Sequence, residues 1–364
     1  MRKFIPKKLS IIIPTYNEGK NIISLINEIL SNLSDIDHEI IIVDDSSKDE
    51  TAKLILENYN KNEKVKIIQR EHDRGLVQSI KFALQTITGE KFLVMDGDGQ
   101  HSPKDILSLI NDLGEKDLII GIRDLNNLDT ISKNRVILSK FFNKIVSIIL
   151  KKQLQDPLTG FFAGKISLLN KKFFLLNNSG FKVLLDLIFS NKKNNIKITE
   201  KTIDFRKRDS GSSKLSSQVT FSFFTQLISY LFNGLISSKF IGFAIIGAFG
   251  FIFHFSFLFL FMNKFLFSFY LSHILATLIT ATINFILNNY LNFYDSDIKD
   301  TKSFFEGLFK YYLINIPAIL SSIGGASFAF NVLNKNPFVS SLIGVILDTV
   351  FKYIISKTWI WKYR

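Results

Sequence analysis

The stretch Lys91-Phe-Leu-Val-Met-Asp-Gly-Asp-Gly-Gln-His101 decides the fold class and indicates where a site lies. Its first half is a short apolar run, which is typical of a buried β-strand. Its second half alternates Asp96, Asp98 and Gln100 with two glycines, which allow the backbone to turn tightly. A strand that ends in this way brings two carboxylates and an amide oxygen to one edge of a sheet.

Three similar runs of β-branched and apolar residues precede this one, at intervals of about 26–30 residues. They cover residues 9–13, 39–43 and 65–69. Between the runs, residues 21–33, 51–59 and 76–87 have the periodicity of amphipathic helices. This alternation predicts an α/β fold with a mainly parallel sheet. Ligands of such sheets bind beyond the carboxyl ends of the strands, so the segments after the runs are the expected site.

Acidic residues gather in those segments. Asp44 and Asp45 follow the second run directly. Carboxylates crowded at one edge of a sheet raise each other's pKa, and a divalent cation relieves the repulsion. A lone Asp-x-Asp is more often a solvated turn, but its position after a buried strand favours a metal site. The expected ligands are hard oxygen donors that suit Mg²⁺ or Mn²⁺: Asp96, Asp98 and Gln100.

The charge and hydropathy of the chain divide it into two parts. Its 364 residues include 45 Lys+Arg and 32 Asp+Glu, a formal net charge of +13. The last 125 residues hold only 9 basic and 5 acidic side chains. This pattern excludes an all-soluble enzyme, a disordered chain and a pure channel. An anionic membrane surface accounts for the net charge, whereas binding to nucleic acid is disfavoured because the lysines are not clustered with aromatic residues.

Four apolar segments in the last third are long enough to cross about 30 Å of hydrocarbon. They cover about 240–263, 266–292, 311–334 and 337–359. In the last of them, Asp348 either pairs with Lys352 one turn later or marks a functional site. Basic residues concentrate in the loop 295–310 and in the C-terminal tail, which predicts that both termini are cytoplasmic. The short apolar run near the N-terminus does not resemble a signal peptide.

Five motifs in order resemble one enzyme family. They resemble the family 2 glycosyltransferases of the GT-A fold, and within them the dolichyl- or polyprenyl-phosphate mannose synthases. The resemblance covers about residues 8–215, and residues 240–361 resemble a GtrA-type four-helix membrane domain. The expected domains are therefore 1–215, an amphipathic linker at 216–239, and 240–364. The motifs are Pro14-Thr-Tyr-Asn-Glu18, Val43-Asp-Asp45, Asp96-Gly-Asp-Gly-Gln-His101, Gly160-Phe-Phe162 and Phe205-x-x-Arg-x-x-Gly-x-Ser-Lys-Leu215.

The resemblance implies roles for individual residues. The nucleotide-sugar donor would be bound by Pro14, Tyr16, Glu18, Asp44, Asp45, Asp96, Asp98 and Gln100. A Mg²⁺ or Mn²⁺ ion would be bound by Asp96, Asp98 and Gln100. The acceptor phosphate would be bound by Arg123, Arg135, Arg208 and Lys214. The residues expected to act in catalysis are Asp98, Arg123, Arg135 and Arg208.

Some of these assignments have plain alternatives. Arg208 lies in a run of charges that could be solvated, and Arg135 could pair with Asp124 or Asp129. The sequence also departs from the family's usual pattern at three loop positions. Ser46 and Glu50 replace glycines, and Thr159 replaces a serine.

The activity implied is a metal-dependent, inverting transfer of a monosaccharide to dolichyl or polyprenyl phosphate. GDP-mannose is the first expected donor and UDP-glucose the second. A polysaccharide acceptor is disfavoured, because the chain has no Gln-x-x-Arg-Trp motif. A non-catalytic translocator of lipid-linked sugars is the alternative of another class. The sequence does not indicate an oligomeric state.

Two amphipathic segments are expected at the membrane surface, and the polar face of the first is basic. They cover residues 131–150 and 219–236. Such helices lie in the bilayer interface, where a polyprenyl phosphate would expose its headgroup. The alternative is that both segments pack on the sheet.

Overall fold

The chain divides into two compact units. The computed structural model describes residues 8–72, 75–123, 144–150, 152–176, 183–206, 217–294, 296, 298, 300–334 and 337–361. The first unit consists of Met1–Lys214 and Tyr230–Gly234, and the second of Leu215–Ser229 and Leu235–Arg364. The border therefore does not fall at one point in the sequence.

The first unit is built on a seven-stranded sheet. Its strand order is β3-β2-β1-β4-β6-β5-β7. Strand β6 is antiparallel to β4 and β5, and the other pairs are parallel. The predicted α/β class with a mainly parallel sheet is confirmed. The strands are β1 (Leu9–Thr15), β2 (His38–Asp44), β3 (Val65–Gln69), β4 (Lys91–Val94), β5 (Leu118–Arg123), β6 (Phe162–Lys165) and β7 (Ile198–Ile203).

The central strands are apolar because both faces of the sheet are covered. Every residue of β1, β2 and β4 is buried, as expected for a sheet packed on both sides. The first four strands and the first three helices lie within two residues of their predicted bounds. The helices of this unit are α1 (Ile22–Asn32), α2 (Thr51–Tyr59), α3 (Leu76–Thr86), α4 (Asp105–Asn111), α5 (Lys171–Leu175) and α6 (Val183–Ser190), and residues 144–150 are also helical.

The second unit is helical. After α7 (Ser217–Leu231), which reaches the border, it contains α8 (Ser238–Asn263), α9 (Phe269–Leu287), α10 (Thr301–Asn331) and α11 (Pro337–Trp359). Each predicted membrane segment overlaps one of the last four helices. Helix α10 begins ten residues before its predicted segment because Asp300 and Ser303 form a capping box.

Within the described residues, two segments are apolar and long enough to span a bilayer. They are Ser238–Asn263 and Leu271–Asn292. In α11 the predicted pairing of Asp348 with Lys352 is present, with 2.9 Å between Oδ2 and Nζ. The pairing explains how an aspartate is accommodated in this apolar helix.

The two predicted interfacial segments are only partly described. Residues 144–150 of the first segment form a helix, and α7 covers most of the second. Helix α7 ends at Leu231 because Asn233 and Gly234 have left-handed φ angles of 54° and 75°. Whether either segment lies in the membrane interface stays a prediction.

Ser46 and Glu50 adopt a backbone conformation that favours glycine. Their φ angles are 56° and 62°, in the left-handed region. A side chain costs about 1–2 kcal/mol in that conformation. The Ser46 hydroxyl offsets this by donating to the Arg70 carbonyl at 2.8 Å. Glu50 has an exposed ion pair with Lys53, which is worth little.

We therefore expect Glu50→Gly to raise the free energy of unfolding by about 0.5–1 kcal/mol. The substitution relieves the left-handed strain, and the greater conformational freedom of glycine in the unfolded chain offsets part of that gain. Thermal unfolding of the purified protein in detergent measures the change. Glu50→Ala is the control, because alanine keeps the β-carbon and should bring no gain. Equal stability of the Gly and Ala variants would contradict this account.

Candidate active site

Two loops beyond β1 and β2 are braced against each other at the carboxyl edge of the sheet. Asn17 donates its backbone N–H to the Ser47 hydroxyl at 2.8 Å and accepts from the Lys48 N–H at 2.8 Å. The Gly19 N–H donates to Asp49 Oδ2 at 2.9 Å. These reciprocal bonds fix both loops, so that they form one wall of a site rather than two independent segments.

The predicted donor residues of the first loop differ in exposure. Pro14 is buried within β1, Glu18 is half-buried, and Tyr16 is 45% exposed. The Glu18 N–H donates to the Thr51 hydroxyl at 3.1 Å, which ties this loop to the start of α2. The Tyr16 ring therefore stands on a fixed backbone and can stack on a planar ligand.

Asp44 organises the loop that follows β2. Its buried carboxylate accepts hydrogen bonds from the Thr15 hydroxyl at 3.2 Å and from the Ser47 N–H at 2.9 Å. It also accepts a short hydrogen bond from the Ser47 hydroxyl. Asp44 thus joins the ends of β1 and β2.

Asp45 faces the segment that follows β3. Its carboxylate accepts from the Ser79 hydroxyl and the Gly75 N–H, both at 2.7 Å, and from Arg70 Nη1 at 3.3 Å. Burial raises the pKa of Asp45, although these three donors oppose the shift. Asp45 therefore fixes the start of α3 relative to β2, and its contacts are with protein groups.

The acidic turn, residues 96–101, is closed by a buried histidine. His101 Nδ1 accepts a hydrogen bond from the Asp96 N–H at 3.1 Å. The ring stacks on Phe161 with 4.9 Å between ring centroids and meets Phe205 edge-on. His101 is therefore part of the turn, and its δ-nitrogen is used as an acceptor.

The turn orients its two carboxylates differently. Asp98 is buried, and its Oδ1 accepts from the Gln100 N–H at 3.1 Å. The Asp96 side chain is 38% exposed. Gly160 stands against it, since a β-carbon at Gly160 would lie 2.7 Å from both carboxylate oxygens. Glycine at this position is what allows Asp96 to keep its orientation.

An ion pair that the sequence did not indicate anchors a further segment at the turn. Arg206 donates to both carboxylate oxygens of Glu28, at 2.8 and 2.6 Å. Its backbone N–H donates to the Gln100 carbonyl at 2.9 Å. The bond from Arg206 lowers the pKa of Glu28. The two residues are 178 positions apart, so only the fold brings them together.

Arg123 is held at the end of β5. Its Nε donates to Asp156 Oδ2 at 3.0 Å, and its guanidinium lies 5.3 Å from the Phe205 ring centroid. Asp156 is buried, so this pair fixes the orientation of the guanidinium. No pattern in the sequence indicates this role of Asp156, because its partner lies 33 positions away. The other predicted acceptor residues lie outside the described residues: Arg135, Arg208 and Lys214.

The acidic turn fits a hard divalent cation. Its donors are two carboxylates and the Gln100 amide oxygen, because the Gln100 nitrogen donates to the Arg206 carbonyl at 3.4 Å. Oxygen donors of this kind suit Mg²⁺ or Mn²⁺. Among the described residues, no three His, Asp or Glu side chains are grouped to hold an ion alone. The remaining ligands would therefore be water or ligand oxygens.

The mainly parallel sheet and the acidic turn at its carboxyl edge agree with the expected GT-A fold. Residues 10–175 match the family described as Glycosyl transferase family 2, and residues 242–361 match the GtrA/DPMS transmembrane domain. The chain therefore consists of a family 2 glycosyltransferase domain followed by a GtrA/DPMS transmembrane domain, and it is a membrane protein.

Relatives match one or both parts. A dolichol-phosphate mannosyltransferase of Pyrococcus furiosus is 29% identical over 97% of this chain and 99% of its own length. A dolichyl-phosphate beta-glucosyltransferase of Homo sapiens is 30% identical over 43% of this chain and 54% of its own. A solved glucosyl-3-phosphoglycerate synthase of Mycobacterium tuberculosis has a TM-score of 0.49 and 19% identity, over 64% of this chain and 82% of its own.

We expect Gly160→Ala to reduce sugar transfer by at least about tenfold, because the new β-carbon would displace the Asp96 carboxylate and misplace the reacting groups. The rate at saturating donor and the thermal unfolding temperature are measured together. Gly247→Ala is the control, since a β-carbon there meets no atom within 4 Å. Full activity of the Gly160 variant would mean that the orientation of Asp96 is not needed.

Proposed function

We propose that this protein transfers a monosaccharide from a nucleoside-diphosphate sugar to dolichyl or polyprenyl phosphate. The leading candidate for the transferred sugar is mannose, with GDP-mannose as its donor. The observation that carries the proposal is the match to the Pyrococcus furiosus enzyme, which extends through both parts of the chain. A relative that shares only the soluble part would leave the lipid acceptor without support, whereas this one has the membrane domain as well.

The acceptor supplies its own nucleophile. A phosphate monoester carries a charge near −2 at neutral pH, since its second pKa is about 6. One of its oxygens attacks the anomeric carbon, the bond from that carbon to the diphosphate breaks, and the nucleoside diphosphate leaves with the electron pair. No general base is required, and attack opposite the leaving group inverts the anomeric centre.

The donor lies against the acidic turn in this proposal. Tyr16 on its fixed loop stacks on the nucleobase, and Asp44 shapes the neighbouring loop. Asp96, Asp98 and Gln100 would hold Mg²⁺ or Mn²⁺, which when bound neutralises charge on the leaving diphosphate. Because Asp45 is occupied by Arg70, Ser79 and Gly75, its part in donor binding is to fix the wall of the site.

In this proposal the acceptor phosphate is bound by arginine and lysine side chains. Arg123 is oriented through Nε by Asp156, and in this proposal Nη1 and Nη2 bind two phosphate oxygens. Arg208 follows the anchored Arg206 by two positions in the sequence. We assign Arg135, Arg208 and Lys214 to the same phosphate. Their charge would lower the repulsion between two anions that must meet at one carbon.

The membrane part supports a lipid acceptor at the bilayer surface. We propose that the soluble part and both termini face the cytoplasm, as the basic loops predict. The four helices α8 to α11 would then cross the membrane and hold the enzyme where the phosphate headgroup lies. The domains are proposed as 1–215, 216–239 and 240–364.

A glucosyl donor is the second candidate. The Homo sapiens glucosyltransferase is as similar in sequence, although over a smaller share of the chain. UDP-glucose is therefore the donor to compare with GDP-mannose. A non-catalytic translocator is disfavoured, because the chain keeps Asp96, Asp98 and Gln100 on an ordered turn.

The donor is tested by incubating the reconstituted protein with polyprenyl phosphate and labelled GDP-mannose or UDP-glucose, with and without Mn²⁺. We expect a labelled, mild-acid-labile lipid from GDP-mannose only when the metal is present. Asp98→Ala should give no product, and Asp35→Ala, an exposed aspartate on another loop, should be normal. A labelled lipid from UDP-glucose alone would mean that UDP-glucose is the donor instead of GDP-mannose. No labelled lipid from either donor would refute the proposed function.

We expect Arg208→Ala to raise the KM for polyprenyl phosphate by at least about tenfold while donor binding stays unchanged, because a charge-assisted phosphate contact is lost. Lys207→Ala is the matched control from the same charge run. Acceptor kinetics and nucleotide titration distinguish the two effects. If both variants behave alike, Arg208 is a solvated charge and not part of the phosphate site.

A further inference from the structure

A basic stretch of the first unit has no role in the proposed site. Residues 165–197 contain seven lysines and a single acidic residue, Asp186. Asp186 is fully buried, pairs with Lys81 Nζ at 3.1 Å and accepts a hydrogen bond from the Tyr230 hydroxyl at 2.5 Å. The one carboxylate of the stretch is therefore neutralised inside the protein and does not offset the lysines at the surface.

Phe189 brings two pairs of exposed lysines together. Lys172 Nζ lies 4.6 Å and Lys192 Nζ 6.0 Å from the centroid of its ring. Their neighbours Lys171 and Lys193 are also exposed. The start of α5 and the residues that follow α6 thus form one cationic surface.

Exposed apolar side chains border these lysines. Tyr230 stacks on Phe189 with 4.4 Å between centroids, and the next two residues, Leu231 and Phe232, are 64% and 50% exposed. Gly234 packs on Leu176, the neighbour of Leu175, which is 68% exposed. Large apolar groups and lysines on one surface are the composition of membrane-interface segments.

We propose that this surface docks on an anionic lipid bilayer. The lysine face, as we call it, consists of Lys171, Lys172, Lys192 and Lys193 with Leu175, Leu231 and Phe232. Lysines near an anionic membrane surface each contribute favourable binding energy, and the apolar side chains insert among the headgroups. The exposure of Leu175, Leu231 and Phe232 is explained by this partner.

The connection to α8 favours a bilayer as the partner of the lysine face, rather than an acidic protein or a second copy of the chain. Four residues lead from Gly234 to Ser238, the first residue of the apolar helix α8. Four residues span at most about 14 Å. Leu231 and Phe232 of the lysine face are therefore joined to the first apolar helix by only a few residues, whereas any other partner would have to be recruited.

The absence of cysteine allows a direct test, because a single introduced thiol can be labelled selectively. A polarity-sensitive fluorophore on Leu175→Cys of the full chain is measured in nanodiscs with one copy each. The lipid is phosphatidylcholine, alone or mixed with phosphatidylglycerol, and contains a nitroxide-labelled lipid as quencher. We expect strong quenching at position 175, increased by phosphatidylglycerol. The probe on Leu56→Cys, an exposed leucine of α2, is the control and should be quenched weakly.

Charge reversal tests the lysines. Lys171→Glu with Lys193→Glu should remove the increase caused by phosphatidylglycerol, whereas the exposed pair Lys53→Glu with Lys61→Glu should keep it. Equal quenching at positions 175 and 56 would overturn the proposal. So would a blue shift of the probe without quenching, which would indicate contact with protein instead of lipid. None of these measurements depends on sugar transfer, so failure here leaves the proposed activity untouched.

Discussion

The hydrogen bond between the Asp96 N–H and the buried His101 imidazole is the interaction on which the site depends. It closes a turn of six residues that has to present two carboxylates at the edge of an otherwise apolar sheet. The same histidine stacks on Phe161, beside Gly160, and pairs through its backbone with Phe205. His101 therefore connects the acidic turn, the segment of Gly160 and Phe161 before β6, and the segment that leads towards Arg208.

Much of this fold could be predicted from the sequence, because its first half is governed by local patterns. Strands β1 to β4 are buried on both faces, so their residues form unbroken apolar runs, and the helices between them are periodic. The left-handed positions Ser46 and Glu50 were visible only as departures from a family pattern. The predicted location of the site has the same basis, since parallel strands bring their carboxyl ends to one edge.

What the sequence did not indicate depends on long-range pairing. Strand β6 has four residues and is inserted antiparallel between β4 and β5, an arrangement with no local signature. Arg206 and Glu28 meet across 178 positions, and Asp156 reaches Arg123 across 33. Each of these charges looks like a surface residue in the sequence. Their partners become evident only when the sheet order is known.

Tyr230–Gly234 belongs to the first unit although the chain on either side of it belongs to the second. Protein engineers who wish to cut the enzyme free of its membrane anchor would choose residue 215 from the sequence. That cut discards Tyr230 and removes one hydrogen-bond partner from the buried Asp186 carboxylate, a loss of about 1–3 kcal/mol. A soluble version is better ended after Gly234, because it then retains α7 and with it Tyr230.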